Sequence, residues 1–216
     1  MPGLMSLPLL VVLTIAFGLL ADRHGGDRGQ ALVSLWTWAF FALLLYRSEG
    51  SRGRLLACLC IATAGEIVLS LVWGLYDYRL GNLPLFVPPG HVLLYWLGLQ
   101  LAERLPEAAV KVLPWLALGA VSVQAVAGID GLGPLLIAIF LACVRWGPAP
   151  RLYVTMFLLA LVMELWGTWL GNWTWRGQVP GLGWPLANPP LAAGAFYCVL
   201  DLLSDSVRRR RACPAD

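Results

Sequence analysis

Two glutamates stand inside long apolar segments of the sequence, and each begins a similar pattern of residues. Glu66 opens residues 66–91, and Glu164 opens residues 164–192. Each glutamate is followed by Gly-x-aromatic-x-aromatic-Arg and then by Pro-Leu-x-x-Pro-Pro. The same residue types in the same order predict an internal duplication. The matched residues are Gly74, Tyr76, Tyr78, Arg79 and Pro84–Pro89 in the first copy, and Gly171, Trp173, Trp175, Arg176 and Pro185–Pro190 in the second.

Glu66 and Glu164 are the side chains best suited to chemistry. Each has about ten mostly apolar residues on either side, which predicts a position near the middle of a membrane. A charge at that depth costs at least about 2.5 kcal/mol, so such a residue faces the interior of a helix bundle. Two facing carboxyl groups titrate as a coupled pair and could act as general acid and general base, for example at an alkene. The alternative is a pair of neutral glutamates that only hydrogen-bond to neighbouring helices. The duplication favours the functional hypothesis.

His91 is the third candidate for catalysis. It follows Pro88-Pro89-Gly90, and Ala192 stands at the matching position of the second copy. A histidine at this place could move protons at the mouth of a cavity. A structural histidine is the alternative.

The residues between each glycine and the proline-rich segment have two interpretations. Arg79 and Arg176 could bind an anionic group or a lipid headgroup. They could instead anchor the chain at the membrane surface, with the neighbouring aromatic residues as an interfacial belt. Asn188 could contact a substrate, or it could cap a helix that begins at the following prolines. The predicted substrate-binding residues are Arg79, Arg176, Tyr76, Tyr78, Trp173, Trp175 and Asn188.

The composition places these residues in a membrane protein. Of the 216 residues, 59% are hydrophobic and only 12% are charged, against about 25% charged in ordinary soluble domains. The mean hydropathy is +0.74. The first run is interpreted as a retained helix, because residues 1–6 carry no lysine or arginine. Apolar runs of about membrane-spanning length fall at residues 4–21, 31–46, 55–76, 90–102, 112–128, 133–146, 152–172 and 189–203.

The predicted fold is therefore all-α: a polytopic transmembrane helical bundle of about eight helices, with a 4+4 parallel internal repeat. Residues 1–105 form the first four-helix repeat, residues 106–207 form the second, and residues 208–216 form a basic tail. Most of the 15 lysines and arginines fall on the side of both termini, which predicts that this side is cytoplasmic. We expect an integral protein of a bacterial inner membrane. The two Gly-aromatic-Arg segments then fold back over the helix ends on the opposite side. Asp201, near the cytoplasmic end of the last run, is either solvated or part of a polar lining.

The sequence contains no motif for a metal or a nucleotide. It has no Cys-x-x-Cys, no Cys/His cluster, no P-loop, no Gly-x-Ser-x-Gly and no Asp-rich diphosphate motif. We expect no metal, no cofactor and no nucleic-acid partner. Membrane lipid or a hydrophobic small molecule is the expected ligand, and a membrane-protein partner or a homodimer is open.

The pattern of Glu66, Gly74, Tyr76, Tyr78 and the Pro84–Pro88 region resembles small integral-membrane carotenoid hydratases and lycopene-cyclase-type proteins. The second copy resembles them more loosely, at Glu164, Gly171, Trp173 and Trp175. The resemblance implies that membrane-embedded acidic residues protonate the double bonds of a polyene or isoprenoid.

The function expected from the sequence is thus a membrane-embedded enzyme that acts on an isoprenoid or other lipid by acid/base chemistry. The glutamates would be proton donor and acceptor. Two alternatives remain at this point: a proton-coupled transporter of a small molecule or lipid, and a non-enzymatic accessory membrane protein.

Overall fold

A computed structural model describes residues 6–212 of the chain. These residues are mostly helical, and they include two short strands. The 3-10 turn Glu49–Ser51 precedes the second helix, and the π-helical turn Ile67–Val72 continues it. The α-helices are α1 Ser6–Arg47, α2 Arg52–Glu66, α3 Val87–Ala102, α4 Glu107–Val126, α5 Gly133–Trp146, α6 Pro150–Leu170 and α7 Ala195–Ala212, and the strands are β1 Tyr76–Tyr78 and β2 Trp173–Trp175.

Helix α1 folds back on itself at Gly26. This glycine has a φ of 56° and a ψ of −145°, which no residue of an α-helix adopts. The two limbs lie side by side. The indole of Trp36 in the second limb donates a hydrogen bond of 3.1 Å to Thr14 Oγ1 in the first. Each limb has roughly the 20 residues that a membrane-spanning helix needs. The first two predicted apolar runs lie one in each limb.

Several helices are long and apolar enough to cross a membrane. Within residues 6–212, four segments satisfy both criteria: Leu7–Arg47, Glu49–Val72, Glu107–Val126 and Pro150–Leu170. Large apolar side chains also cover the outside of the bundle, including Trp115 at 70% exposure, Val126 at 91% and Trp169 at 74%. Soluble proteins seldom expose apolar surface on this scale. Length and surface together support integration into a membrane.

The helices next to the two duplicated segments pack against each other across the two predicted halves. Helix α2 packs against α3 and α7, and α6 packs against α7 and α3. Helices α3 and α6 approach closely at Gly98, where a Cβ atom would collide with the Met156 thioether. The side chains of Tyr95 and Met156 are completely buried in the core between these helices.

The two strands join the duplicated segments directly. β1 and β2 pair antiparallel, with Tyr76 opposite Trp175 and Tyr78 opposite Trp173. Each strand follows a glycine with positive φ, 72° at Gly74 and 74° at Gly171. Gly171 ends α6 in the left-handed conformation that glycine adopts at little cost. Both segments therefore turn back from a helix end into the strand pair.

The two Pro-Pro pairs behave differently. Helix α3 begins at Val87 and carries its prolines in the first turn, as predicted. The second pair does not start a helix, because α7 begins only at Ala195. Residues 190–197 are joined by short i→i+3 hydrogen bonds, and a Cβ on Gly194 would lie 2.6 Å from Phe157 Cα. The chain is thus held as a turn against α6 before α7 can begin.

The helix ends rich in lysine and arginine form one end of the bundle, which we call the basic end: Arg47, Arg52, Arg54, Arg104, Lys111, Arg145 and Arg151. An ion pair of 3.1 Å between Arg151 and Glu107 joins the starts of α6 and α4 there. The predicted basic tail enters α7 as far as Ala212, and residues 213–216 lie outside the described part of the chain. The described residues contain seven α-helices, and the eight-helix repeat and its division into two halves stay predictions.

Candidate functional site

Glu66 ends α2 as a buried carboxyl group with three hydrogen-bond partners. Its exposure is only 6%. Oε2 accepts hydrogen bonds from the hydroxyls of Tyr76 at 2.9 Å and Tyr78 at 2.8 Å. Oε1 lies 2.7 Å from His91 Nε2. Both carboxyl oxygens are engaged, and this matches the acceptor-only character of an ionised carboxylate.

His91 links Glu66 to the second half of the chain. Its Nδ1 lies 2.6 Å from the Tyr197 hydroxyl, while its Nε2 faces Glu66. A neutral imidazole has one donor nitrogen and one acceptor nitrogen. When the acceptor nitrogen gains a proton and the donor nitrogen loses one, the two nitrogens swap roles and a proton has crossed the ring. The geometry therefore suits a group that passes protons, which is the role predicted for His91.

Glu164 in α6 has a different set of partners. Its Oε2 accepts the indole N–H groups of Trp173 at 2.8 Å and Trp175 at 2.9 Å. An indole nitrogen donates only, so this oxygen must act as an acceptor. Within residues 6–212, no hydrogen bond reaches Oε1 of Glu164. That oxygen is free to carry a proton toward a ligand.

The strand pair brings the two glutamate systems together. Arg79 N–H donates to Asn172 O, and Arg176 N–H donates to Leu75 O, both at 2.9 Å. The bonds are equivalent under exchange of the two segments. The aromatic rings meet across the same pair, with centroids 4.7 Å apart for Tyr76 and Trp175 and 6.2 Å apart for Tyr78 and Trp173. The four aromatic side chains thus form one slab, and each strand serves the glutamate of its own segment.

Two cavities meet at this slab. One of about 70 Å³ lies between α1, α3 and α6. Another of about 190 Å³ lies between α2, α6 and α7. The side chains that line both are Glu66, Tyr76, His91 and Glu164. The glutamates therefore share their two cavities, and they form with Tyr76 and His91 the wall between them.

A larger apolar groove adjoins the smaller cavity. It has a volume of about 580 Å³ between α1, α3 and α6, and every side chain that lines it is apolar. Ile15 and Met163 line both the groove and the 70 Å³ cavity. The groove therefore lies directly beside the cavity that the glutamates line.

The predicted arginine sites are already paired. Arg79 donates to the carbonyl oxygen of Asp22 at 2.5 Å and lies 3.4 Å from its carboxylate. Arg176 forms two hydrogen bonds of 3.0 Å with Asp77, and this carboxylate raises the pKa of the Arg176 guanidinium. Neither arginine contacts a glutamate of the site. Binding of an anionic headgroup by these arginines stays a prediction.

The four aromatic residues that could form an interfacial belt are buried inside the bundle, whereas a belt would expose them at the membrane surface. Their exposures lie between 4% and 9%, and their polar groups are bonded to Glu66 or Glu164. They are Tyr76, Tyr78, Trp173 and Trp175.

Asn188 does not cap a helix. Its Oδ1 accepts the backbone N–H of Trp175 at 3.0 Å, and a cis peptide bond joins it to Pro189. This hydrogen bond holds β2 in place, and with it the Trp175 indole that donates to Glu164. A direct contact of Asn188 with substrate stays a prediction.

Among the polar residues of the interior, Tyr197, Asp22 and Asn172 were not predicted from the sequence, whereas Asp201 was expected either in solvent or in a polar lining. Tyr197 contacts His91, and Asp201 lies one helical turn further along α7. The spacing of four residues in one helix was a signal for a shared face. Asp22 and Asn172, joined at 2.6 Å, are distant in the chain and gave no such signal.

The described residues include no cluster of three or more His, Cys, Asp or Glu side chains that could hold a metal ion. Comparison of the chain with protein-family models, with curated proteins and with solved structures finds no match.

Proposed function

We propose that this protein is an integral membrane enzyme that acts on an isoprenoid or another lipid by acid–base chemistry. Glu164 is the proton donor and Glu66 is the proton acceptor. The observation that carries the proposal is that both carboxyl groups line the same two cavities, one of which adjoins a wholly apolar groove. A hydrocarbon chain can occupy such a groove without leaving polar groups unpaired.

The proposed reaction starts at Glu164. Its carboxyl O–H bond breaks, a C–H bond forms at one carbon of an alkene, and the neighbouring carbon becomes cationic. Glu66 then removes a proton from an adjacent carbon, so that the product is an isomer of the substrate. The faces of the surrounding tyrosine and tryptophan rings stabilise the cation between the two steps. Glu66 finally returns one proton to Glu164, and both groups regain their starting states.

The proposal includes the architecture expected from the sequence. The two limbs of α1 together with the other six helices give two sets of four, residues 1–105 and 106–207. In this division α2 corresponds to α6 and α3 corresponds to α7. The packing of α2 against α7 and of α6 against α3 is then the same contact made twice, which supports the division. The equivalent hydrogen bonds across the strand pair support a twofold axis along the membrane normal, as in parallel repeats. The basic end is then cytoplasmic.

The test is turnover by purified protein in lipid vesicles, with the substrate class identified from lipids that co-purify with it. We expect Glu66→Gln and Glu164→Gln to abolish turnover while the thermal unfolding temperature stays near that of the wild type. Glu107→Gln is the matched control, because Glu107 is exposed at the basic end and pairs with Arg151. Product formation at the wild-type rate in both site variants would contradict the proposal.

Proton-coupled transport is the second candidate. The observation that favours it is the pair of cavities on opposite faces of the wall that contains Glu66, Tyr76, His91 and Glu164. Alternate opening of such a wall would move a solute, as acidic residues do in transporters. Flux of protons and solute into liposomes, with every lipid chemically unchanged, would select transport over catalysis.

A further inference from the structure

A second buried polar cluster lies in the same bundle, and the reaction above gives it no role. Asp201 in α7 is 1% exposed. Its Oδ1 accepts a hydrogen bond of 2.6 Å from Arg54 Nη2 and another from the hydroxyl of Tyr95. The Arg54 guanidinium also lies 5.4 Å from the centre of the Tyr95 ring. Burial of an ion pair costs several kcal/mol of desolvation per ion, and a hydrophobic replacement is often as stable.

The cluster and the glutamate site share two helices in the same order. His91 and Tyr95 are four residues apart in α3, and Tyr197 and Asp201 are four residues apart in α7. Side chains at this spacing lie on one face, with Cβ atoms about 5–6 Å apart. His91 contacts Tyr197 at 2.6 Å, and Tyr95 contacts Asp201. The two helices therefore hold two polar layers, one turn apart, that face each other across the same interface.

A cavity large enough for water adjoins the layer of His91 and Tyr197. The 190 Å³ cavity is lined by His91 and Tyr197, and it continues along α7 to Leu200 and Leu203. Leu200 directly precedes Asp201 in the sequence, although neither Asp201 nor Tyr95 lines the cavity itself. One water molecule between the layers would complete a chain of hydrogen bonds. The layer of Tyr95 and Asp201 lies nearer to the basic end, and we call it the outer layer. There the Arg54 side chain is 21% exposed, whereas the Asp201 side chain is 2% exposed.

We propose that Asp201, Tyr95, Tyr197 and His91 form a proton route between the basic end of the bundle and Glu66. A proton enters at Asp201 beside Arg54, and each group along the route accepts one proton and releases one. Asp201, Tyr95 and Tyr197 end in their starting protonation states, and the Glu66–His91 pair has gained one proton. The same steps in reverse remove a proton. The route rests on the proposed function for its purpose, since it sets the protonation state of the acid–base pair.

Other titratable side chains surround Asp201. Cys58 faces it from α2, Cys143 from α5 and Tyr153 from α6, and each interacts with it electrostatically. Arg54 is the cation bonded to it. Replacement of the Asp201 carboxyl therefore removes the acidic group at the outer layer and leaves the thiols and phenols in place.

The experiment follows proton uptake without any substrate. The protein is reconstituted in vesicles with the basic end outward, the external pH is dropped rapidly, and the infrared carboxyl band that disappears in Glu66→Gln is recorded over time. We expect Asp201→Asn and Tyr197→Phe each to slow protonation of the Glu66–His91 pair at least tenfold. Because no lipid turnover is measured, failure of the proposed enzyme activity and failure of the route give different results.

The matched control is Asp22→Asn. Asp22 is also a carboxylate paired with an arginine, its side chain is 2% exposed, and it lies at the opposite end of the bundle beside Arg79. We expect wild-type uptake rates in this variant. If Asp201→Asn and Tyr197→Phe lower the unfolding temperature but leave the uptake rate unchanged, the cluster only stabilises the fold and the route is overturned. Slower uptake in Asp22→Asn alone would overturn it as well. Tyr197→Phe keeps the ring, so it decides the question even if Asp201→Asn does not fold.

Discussion

At the scale of single residues, the two glutamates share a position in the duplicated pattern but not a chemical environment. Two phenol hydroxyls and an imidazole surround Glu66, whereas two indoles bind one oxygen of Glu164. A phenol can give up and recover a proton in a relay, and an indole only donates a hydrogen bond. The change from Tyr-x-Tyr to Trp-x-Trp between the copies therefore gives Glu66 partners that can exchange protons and Glu164 partners that only donate hydrogen bonds. This difference was visible in the sequence, but its meaning depended on which glutamate each aromatic pair contacts.

Removal of the phenol hydroxyls tests the environment of Glu66. Tyr76→Phe and Tyr78→Phe each keep the ring and delete one donor to Oε2. We expect each to lower the free energy of unfolding by about 1–2 kcal/mol, because a buried acceptor loses a partner. Tyr46→Phe is the control, since Tyr46 is 75% exposed. Denaturation in mixed detergent micelles measures the difference. Losses no larger than that of Tyr46→Phe would mean that the hydroxyls do not stabilise the carboxylate.

At the scale of elements, the apolar runs located most of the helices, but they misplaced the start of α7 and did not predict what lies between the helices. The run predicted at 133–146 coincides with α5, and the run at 152–172 lies within two residues of α6. The strands are three residues long, and they pair across about 100 positions of sequence, so no local pattern could have predicted them. Contact between the two copies depended on tertiary packing, and so did the use of Asn188 to hold β2. The sequence therefore pointed to the glutamates, His91 and the aromatic residues as candidates for the site, but it did not predict which of them are hydrogen-bonded to each other.

Two glycines position β2 against α6, and both can be tested by alanine. A Cβ on Gly167 would collide with the Trp173 indole, the group that donates to Glu164. At Gly171 there is space, but φ is 74° and an L-residue there costs about 1–2 kcal/mol. We expect Gly167→Ala to displace Trp173 and alter tryptophan fluorescence, and Gly171→Ala to lower stability alone. Gly119→Ala in α4 has open space and helical geometry, so it should be neutral or stabilising by up to about 1 kcal/mol. Identical behaviour of all three variants would contradict this account of the close contact.

At the scale of the whole molecule, the bundle separates its polar groups from an apolar exterior. Buried carboxylates pair at both ends, Asp22 with Arg79 and Asp201 with Arg54, and the glutamates lie between them. The outer surface exposes leucine, valine and tryptophan along α1, α4 and α6. A substrate that approaches from the lipid phase would meet the groove between α1, α3 and α6 before it reaches any polar group. For the proposed lipid substrate, we therefore expect lateral access to the site rather than access from water.

Lateral access can be blocked at one position and compared with a matched one. Val162 lines the groove and is 65% exposed, while Val123 in α4 is 69% exposed and does not line it. Val162→Trp would add the volume of an indole to the groove, and Val123→Trp would add the same volume to the outer apolar surface. We expect Val162→Trp to reduce the amount of co-purifying lipid and to raise the KM for the lipid at least fivefold, with little change in kcat. Val123→Trp should bind and turn over lipid as the wild type does. The comparison isolates the groove, because hydrophobicity, exposure and added volume are the same in both variants. Equal effects at the two positions would mean that the lipid reaches Glu66 and Glu164 by another path.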